Sequence, residues 1–394
     1  MEPASILADL FILFAAAKIL GELFEHFGQP AVVGELLAGV LVGPHVFGWI
    51  SEGGGSEVLE LLAELGVVIL LFTVGLETSI RELRQVGRSA LVVGSLGVIL
   101  PFALGVGLMA SLGYDQGDVL FVAAALTATS VGVTARVFKD LSAIKIPPAQ
   151  VVLGAAVVDD ILALLVLAVV TGIAAGSFST IQIVSLLGVI AAFLGVVLLA
   201  GPRVVRRLRE FAHLPIIPGS PLAFAMLLTL GLAALSETIG LAAIIGAFLA
   251  GLIFEFRKQE VVTQVEPIYE FLVPFFFAVT GTHLDPGVFT QVDILGLSMA
   301  VTAIAVVTKL AGGYFGALSL GRRDALLVGT GMIPRGEVGL IVASIGLGRG
   351  IIGTDLFGVV LVMTVITTVV TPPFLAPMIR RRPPDEKKAK RRRD

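Results

Sequence analysis

Almost the whole chain divides into apolar stretches of one characteristic length. Thirteen candidate spans fall at roughly 5–25, 31–50, 57–76, 88–111, 118–138, 149–172, 180–200, 220–237, 239–256, 267–283, 291–319, 324–348 and 355–379. A bilayer core takes about 20 residues of helix to cross. The pattern therefore predicts an all-α polytopic membrane protein with about 13 transmembrane helices. Composition agrees: the 394 residues are 56% hydrophobic and 14% charged, where soluble domains run near 25% charged. The 46 glycines suit close helix packing and broken helices. Cysteine is absent, so no disulfide and no thiolate metal site is expected. The first span lacks a basic leader and a small-residue cleavage site, and reads as a retained helix.

Charge sets the orientation. Nearly all of the 27 Lys and Arg fall on one face of the alternating spans. Arg81, Arg84 and Arg88 lie between spans three and four; Lys139 and Lys145 between five and six, with Arg136 at the helix end; Arg203, Arg206, Arg207 and Arg209 between seven and eight. Arg257 and Lys258 follow span nine, Arg322 and Arg323 follow span eleven, and the tail from Arg380 is basic. By the positive-inside rule that face is cytoplasmic. The chain is then an inner-membrane protein with its N-terminus outside and its C-terminus inside. The tail PPDEKKAKRRRD is either a topogenic, disordered end or a contact for anionic headgroups.

The basic, Pro-punctuated linker at 201–221 leaves six spans, a seventh connecting span, and six more. Corresponding spans are an odd number apart and run in opposite directions, which is an inverted-topology repeat. The fifth span carries Thr127, Thr129, Ser130, Gly132 and Thr134 at mid-depth. The twelfth carries Gly329, Gly331, Pro334, Arg335, Gly336, Glu337 and Gly339 at the matching depth. Pro removes a backbone donor and Gly weakens a helix, so both spans are expected to unwind there. Unwound backbone at that depth needs a protein or cavity lining, and its half-helix ends can aim partial charges at an ion.

Charged groups inside the spans are the candidate machinery. Asp159 and Asp160 sit at the centre of VVLGAAVVDDILALLVLAVV, residues 151–170, and a charge at a helix centre costs roughly 2.5–3.5 kcal/mol on insertion scales. Neighbours on a helix point about 100° apart, so one carboxylate can line a cavity while the other meets a partner. Lys309, deep in the eleventh span, is the best partner for either, since a buried ammonium needs a counter-charge. That pair could be purely structural, or could open when a cation binds. Arg335 and Glu337 could cap broken helix ends, bond each other, or join the ion path. Thr129 and Ser130 could give oxygen ligands to a hard cation or simply satisfy backbone. Glu35 and Glu77 read as mainly structural, and His26, His45, His213 and His283 fall near loops, so an imidazole relay is not expected.

Six segments, QPAVVGELLAGVLVGP (29–44), LLFTVGLETSIREL (71–84), LTATSVGVTARV (126–137), LGAAVVDDILALLVL (153–167), PFFFAVTGTHLD (274–285) and IPRGEVGLIV (333–342), occur in an order that covers nearly the whole chain. Together they resemble the monovalent cation:proton antiporter-2 family, most closely bacterial Na+/H+ antiporters of the NapA type. The resemblance implies a homodimer of thirteen-helix subunits in which a core slides against a dimerisation domain. Residues 1–87 and 220–288 would be dimerisation-domain helices and 88–176 and 289–379 the core. Residues 177–219 would be the connecting helix and linker, and 380–394 a basic cytoplasmic tail. Asp160 would be the main ion- and proton-binding carboxylate, with Asp159 paired to Lys309. Thr129 and Ser130 would lie in one of two crossing breaks, Arg335 and Glu337 in the other. The transported Na+ would be held at Asp160, with Thr129 and Ser130 as further oxygen donors. Kef-type K+/H+ relatives look different, with an amide before the aspartate and often a cytosolic regulatory domain; Asp159 here favours Na+, and no such domain is expected.

The expected activity is secondary active exchange of Na+ (or Li+) for H+, by alternating access. It would move more H+ than Na+ per cycle and serve Na+ and pH homeostasis. The expected partners are these ions, the lipid bilayer and a second copy of the chain; neither nucleic acid nor a cofactor is expected. A K+/H+ antiporter is the near alternative, and a Na+-coupled symporter or a cation channel the distant ones. Enzymatic chemistry is not expected: an intramembrane aspartyl protease needs carboxyls on facing helices, which adjacent residues cannot supply.

Overall fold

A computed structural model describes residues 3–50, 56–174, 180–210, 221–254, 258–283, 287 and 292–381. Residues 211–220 of the 201–221 linker, with His213, and the tail beyond Arg381 lie outside the described residues, as does the Glu337 side chain. Fifteen α-helices and no strand occur among the described residues. They are α1 (Pro3–His26), α2 (Ala31–Val42), α3 (Ser56–Glu77), α4 (Ile80–Ser111), α5 (Gln116–Ala125), α6 (Val131–Asp140), α7 (Pro147–Ala174) and α8 (Thr180–Glu210). There follow α9 (Pro221–Thr238), α10 (Ala243–Ile253), α11 (Lys258–Thr282), α12 (Val292–Gly316), α13 (Arg322–Gly331), α14 (Glu337–Gly348) and α15 (Thr354–Arg380). Eight, namely α3, α4, α7, α8, α9, α11, α12 and α15, are long and apolar enough to cross a bilayer. The predicted fifth span is the pair α5 and α6, and the twelfth is α13 and α14.

Boundaries depart from hydropathy where local chemistry outweighs it. The second span stops at Val42 rather than residue 50, because the Gly43 N–H caps the Gly39 carbonyl and Pro44 follows. α11 begins at Lys258, nine residues before its predicted start, and runs through Pro267 and Pro274. Inside a bundle the carbonyls that Pro frees can be satisfied by neighbours.

The helices gather into two bundles. In one, α2 packs on α1 and α11, and α10 packs on α9 and α3; in the other, α4 packs on α7, α5 and α12, and α12 on α13 and α15. The two halves exchange roles, and glycines carry the match. A Cβ on Gly34 would overlap the Leu20 carbonyl, and one on Gly246 the Leu232 carbonyl. One on Gly39 would strike Ala278 O, and one on Gly251 would strike Phe72 O. Backbones can approach this closely only without side chains between them. The same pattern is legible in the chain as VVGELLAGVLV and AIIGAFLAGLI, an internal similarity that the linker-based division of the halves did not use.

The basic loops collect at one end. Lys139 at the end of α6 meets Glu266 of α11 at 3.2 Å, and Lys258 at the start of α11 approaches Thr78 O beyond α3 at 3.5 Å. Arg380 at the end of α15 donates to Gly28 O at 2.8 Å, and Arg323 on α13 to Arg381 O.

Candidate ion-binding site

The two broken pairs cross. α5 ends at Ala125 and α6 starts at Val131, leaving residues 126–130 between them; α13 ends at Gly331 and α14 starts at Glu337. The breaks are shorter than the stretches of unusual composition, since Val131–Thr134 and Gly329–Gly331 are helical. Across the crossing the Ser130 N–H donates to Pro334 O at 2.9 Å, and the Thr134 hydroxyl donates to Gly331 O at 2.7 Å. A Cβ on Gly336 would stand 2.6 Å from both Cβ and Oγ of Ser130, so the crossing requires glycine there. Two helix N-termini (α6, α14) and two C-termini (α5, α13) end at this place, each with unsatisfied backbone groups and a partial charge.

Arg335 ties the crossing together. It is fully buried, and its guanidinium donates to Ala128 O at 3.0 Å in the other break and to Ala305 O of α12 at 3.4 Å. Its own N–H donates to the Thr367 hydroxyl at 3.1 Å, and its carbonyl accepts from Thr368. A guanidinium is suited to this because it presents several donors in a fixed plane. Thr367 and Thr368 were not singled out in the sequence. Their signal was present: Thr364, Thr367, Thr368 and Thr371 recur at helical spacing along an otherwise apolar α15. Glu337 opens α14, and its side chain is not among those described.

On α7 the two aspartates diverge. Asp159 is wholly buried against α4 and α12, and its Oδ1 accepts from Lys309 Nζ at 2.7 Å; Lys309 is also wholly buried. Gly97 of α4 makes the room. A Cβ there would lie 3.2 Å from Lys309 Nζ and 3.3 Å from Asp159 Oδ1. Asp160, only 6% exposed, turns to a small cleft between the bundles. Leu153, Ala156, Val157 and Val131 line it from one bundle; Leu71 of α3 and Ile244, Ile245 and Phe248 of α10 line it from the other. Val131 directly follows Ser130, so the cleft reaches the first broken helix.

Oxygen atoms left over at this depth can meet a hard cation. Asp159 Oδ2 and Thr129 Oγ1 are buried and have no hydrogen-bond partner in the protein. Among the described residues no cluster of three or more His, Asp or Glu forms a metal site. A cation here would draw on single carboxylates, hydroxyls and main-chain carbonyls.

A second buried ion group joins the bundles. Arg136 of α6 bonds Glu35 of α2 at 3.2 Å and Asp140 at 2.8 Å. Lys139 lies 3.7 Å, and Arg136 5.2 Å, from the ring centre of Tyr269 on α11. Tyr269 was not considered in the sequence, although a tyrosine within an apolar span is a usable signal.

The family model described as sodium/hydrogen exchanger, transmembrane, matches residues 10–381. The chain is 35% identical over 338 residues to the Na+/H+–K+ antiporter GerN of Bacillus cereus, covering 84% of this chain and 85% of GerN. It is 35% identical over 327 residues to the high-affinity Na+/H+ antiporter NhaS3 of Synechocystis, covering 79% of this chain and 69% of NhaS3. The sodium–proton antiporter MjNhaP1 of Methanocaldococcus jannaschii shares the fold at a TM-score of 0.69 and 16% identity, over 97% of this chain and 99% of that one.

Proposed function

The chain belongs to the transmembrane sodium/hydrogen exchanger family, and from that premise we propose that it exchanges Na+ or Li+ for H+ at Asp160. The observation that carries the assignment is the position of this carboxylate: buried mid-helix, yet facing a cleft whose two walls belong to different bundles. Protonation neutralises Asp160 and disfavours a cation; deprotonation creates a negative site that a cation fills. An empty charged site is held back from crossing by the cost of leaving charge in low dielectric, and this couples the two fluxes. Asp159, Thr129 and Ser130 supply further oxygens, and Lys309 holds Asp159 until cation arrives. If the Lys309–Asp159 pair also exchanges a proton, more H+ than Na+ moves per cycle and transport is electrogenic.

The bundle of α4–α7 and α12–α15 moves against α1–α3 and α9–α11, exposing Asp160 to each side in turn. The second of these bundles pairs with its copy in a homodimer. The shared basic end supports an orientation in the inner membrane with that end cytoplasmic and the N-terminus outside. K+ is the second candidate cation, because the name of GerN includes it.

The test is cation-driven proton flux in proteoliposomes, read by a pH dye as Na+, Li+ and K+ are added in turn. Asp160→Asn should abolish the response to every cation while the protein remains folded. Wild-type flux from that variant would reject the assignment.

A further inference from the structure

Away from the carboxylates, a crevice of about 600 Å³ opens at the basic end, where the α3–α4 turn, α8, α10 and the start of α11 meet. Its walls divide by chemistry. Ile80, Leu198, Leu199 and Leu252 form an apolar side, and Arg81, Arg84, Arg203 and Lys258 bring four cations to the other. Among the described residues no carboxylate lines it. Along α8 the change takes about one turn: Leu198 and Leu199 come first, then Pro202 and Arg203. Both α4 and α11 begin here, and the first N–H groups of a helix favour an anion. Two of the cations already turn to main-chain oxygens, Arg203 to Leu199 O and Lys258 to Thr78 O, and four cations still converge on the one crevice.

We propose that this crevice seats the phosphate-bearing headgroup of an anionic membrane lipid, with acyl chains running along Leu198 and Leu199. A soluble phosphate would use the cations but leave the apolar wall idle. α8 is also the long helix with the least of its surface covered, and Leu199 is well exposed on it, so a lipid in the bilayer has open access. Basic pockets between transmembrane helices on the cytoplasmic side are suited to this use. The proposal does not depend on which cation is exchanged, or on Asp160.

The test is native mass spectrometry of the full-length protein in detergent, titrated with phosphatidylglycerol or phosphatidylcholine, beside thermal unfolding in the same lipids. Wild type should retain phosphatidylglycerol saturably and be stabilised by it, with little response to phosphatidylcholine. Each cation near an anionic headgroup is worth roughly fivefold in affinity, so Arg81→Gln/Arg84→Gln/Arg203→Gln should bind about 100-fold more weakly. Arg203→Gln alone should lose about fivefold, which covers the case in which the triple variant does not fold. Arg322→Gln/Arg323→Gln, at the same end on α13, should bind as wild type. Unchanged phosphatidylglycerol retention in Arg203→Gln would overturn the proposal. So would stabilisation by inorganic phosphate equal to that by phosphatidylglycerol, which would make the crevice a site for a soluble anion.

Discussion

Two ion groups are buried in this molecule, and they differ in what their partners belong to. Lys309 and Asp159 stand 2.7 Å apart with neither exposed, on α12 and α7 of the same bundle. Arg136 reaches Glu35 at 3.2 Å and Lys139 reaches Glu266 at 3.2 Å, each time from α6 to a helix of the other bundle. If the bundles shift during exchange, the shift itself does not separate the first pair, which opens only to cation, whereas the second must break and re-form. Between cation arrivals the first pair can therefore be strong. The second is useful only if weak, and it is softened by sharing Arg136 with Asp140 within α6. On the proposed movement, position relative to the surface between the bundles, more than depth, separates a fixed pair from a latch.

The sharpest way to break this contrast is to remove one member of the fixed pair. Lys309→Gln leaves Asp159 as an uncompensated charge, and losing one partner of a buried pair costs about 3–5 kcal/mol. Thermal unfolding in detergent should fall by far more than for any variant at the second group, and exchange should fail with it. Lys309→Gln/Asp159→Asn, which removes both charges, should recover most of the stability without restoring normal exchange. A double variant as unstable as the single one would show that the pair is not what the ammonium stabilises.

That Lys309 pairs with one of the two aspartates was legible in the sequence, because charges inside apolar spans are conspicuous and few; that the partner is Asp159 came only with the family resemblance. The two breaks were legible too, from Pro334, Gly336 and the hydroxyl run ending at Thr134. The space around the pair was not legible. Gly97 looks like any other glycine of α4 until α12 is laid against it, and contact between α4 and α12 joins residues more than 200 positions apart. Similarly, Glu35 reads as a packing residue near a span end, because its partner Arg136 follows a broken helix whose direction depends on the crossing. Helix existence is local and periodic; the pairing of faces is set by the whole bundle.

Gly97→Ala tests that unread space. Its methyl would crowd both Lys309 Nζ and Asp159 Oδ1, and overpacking of this kind costs about 1–3 kcal/mol. Stability should fall by that amount, and the loss should shrink in the Lys309→Gln/Asp159→Asn background. Equal losses in both backgrounds would place the strain elsewhere along α4.

At the second group the expected sign is reversed. Glu35→Gln keeps a hydrogen-bonding side chain but removes a charge from the contact between α2 and α6, a loss of about 1 kcal/mol. If the contact holds the bundles in one arrangement, weakening it should speed initial exchange by roughly fivefold while unfolding temperature drops slightly. Initial rates in proteoliposomes check this. A rate that falls together with stability would make Glu35 an ordinary structural partner and erase the distinction between the two groups.

The smallest effect separates charge from packing within the latch. Tyr269 of α11 offers its ring to both Lys139 and Arg136 of α6, and such contacts are worth about 0.5–1 kcal/mol each at exposed sites and more when desolvated. Tyr269→Phe keeps the ring, so unfolding temperature and exchange rate should both match wild type. Tyr269→Leu keeps apolar bulk but removes the ring face, and should lower stability by about 1 kcal/mol while speeding exchange in the same direction as Glu35→Gln. If Phe and Leu behave alike, the ring acts only by filling space. The cations then cross the gap between bundles through Glu35 and Glu266 alone.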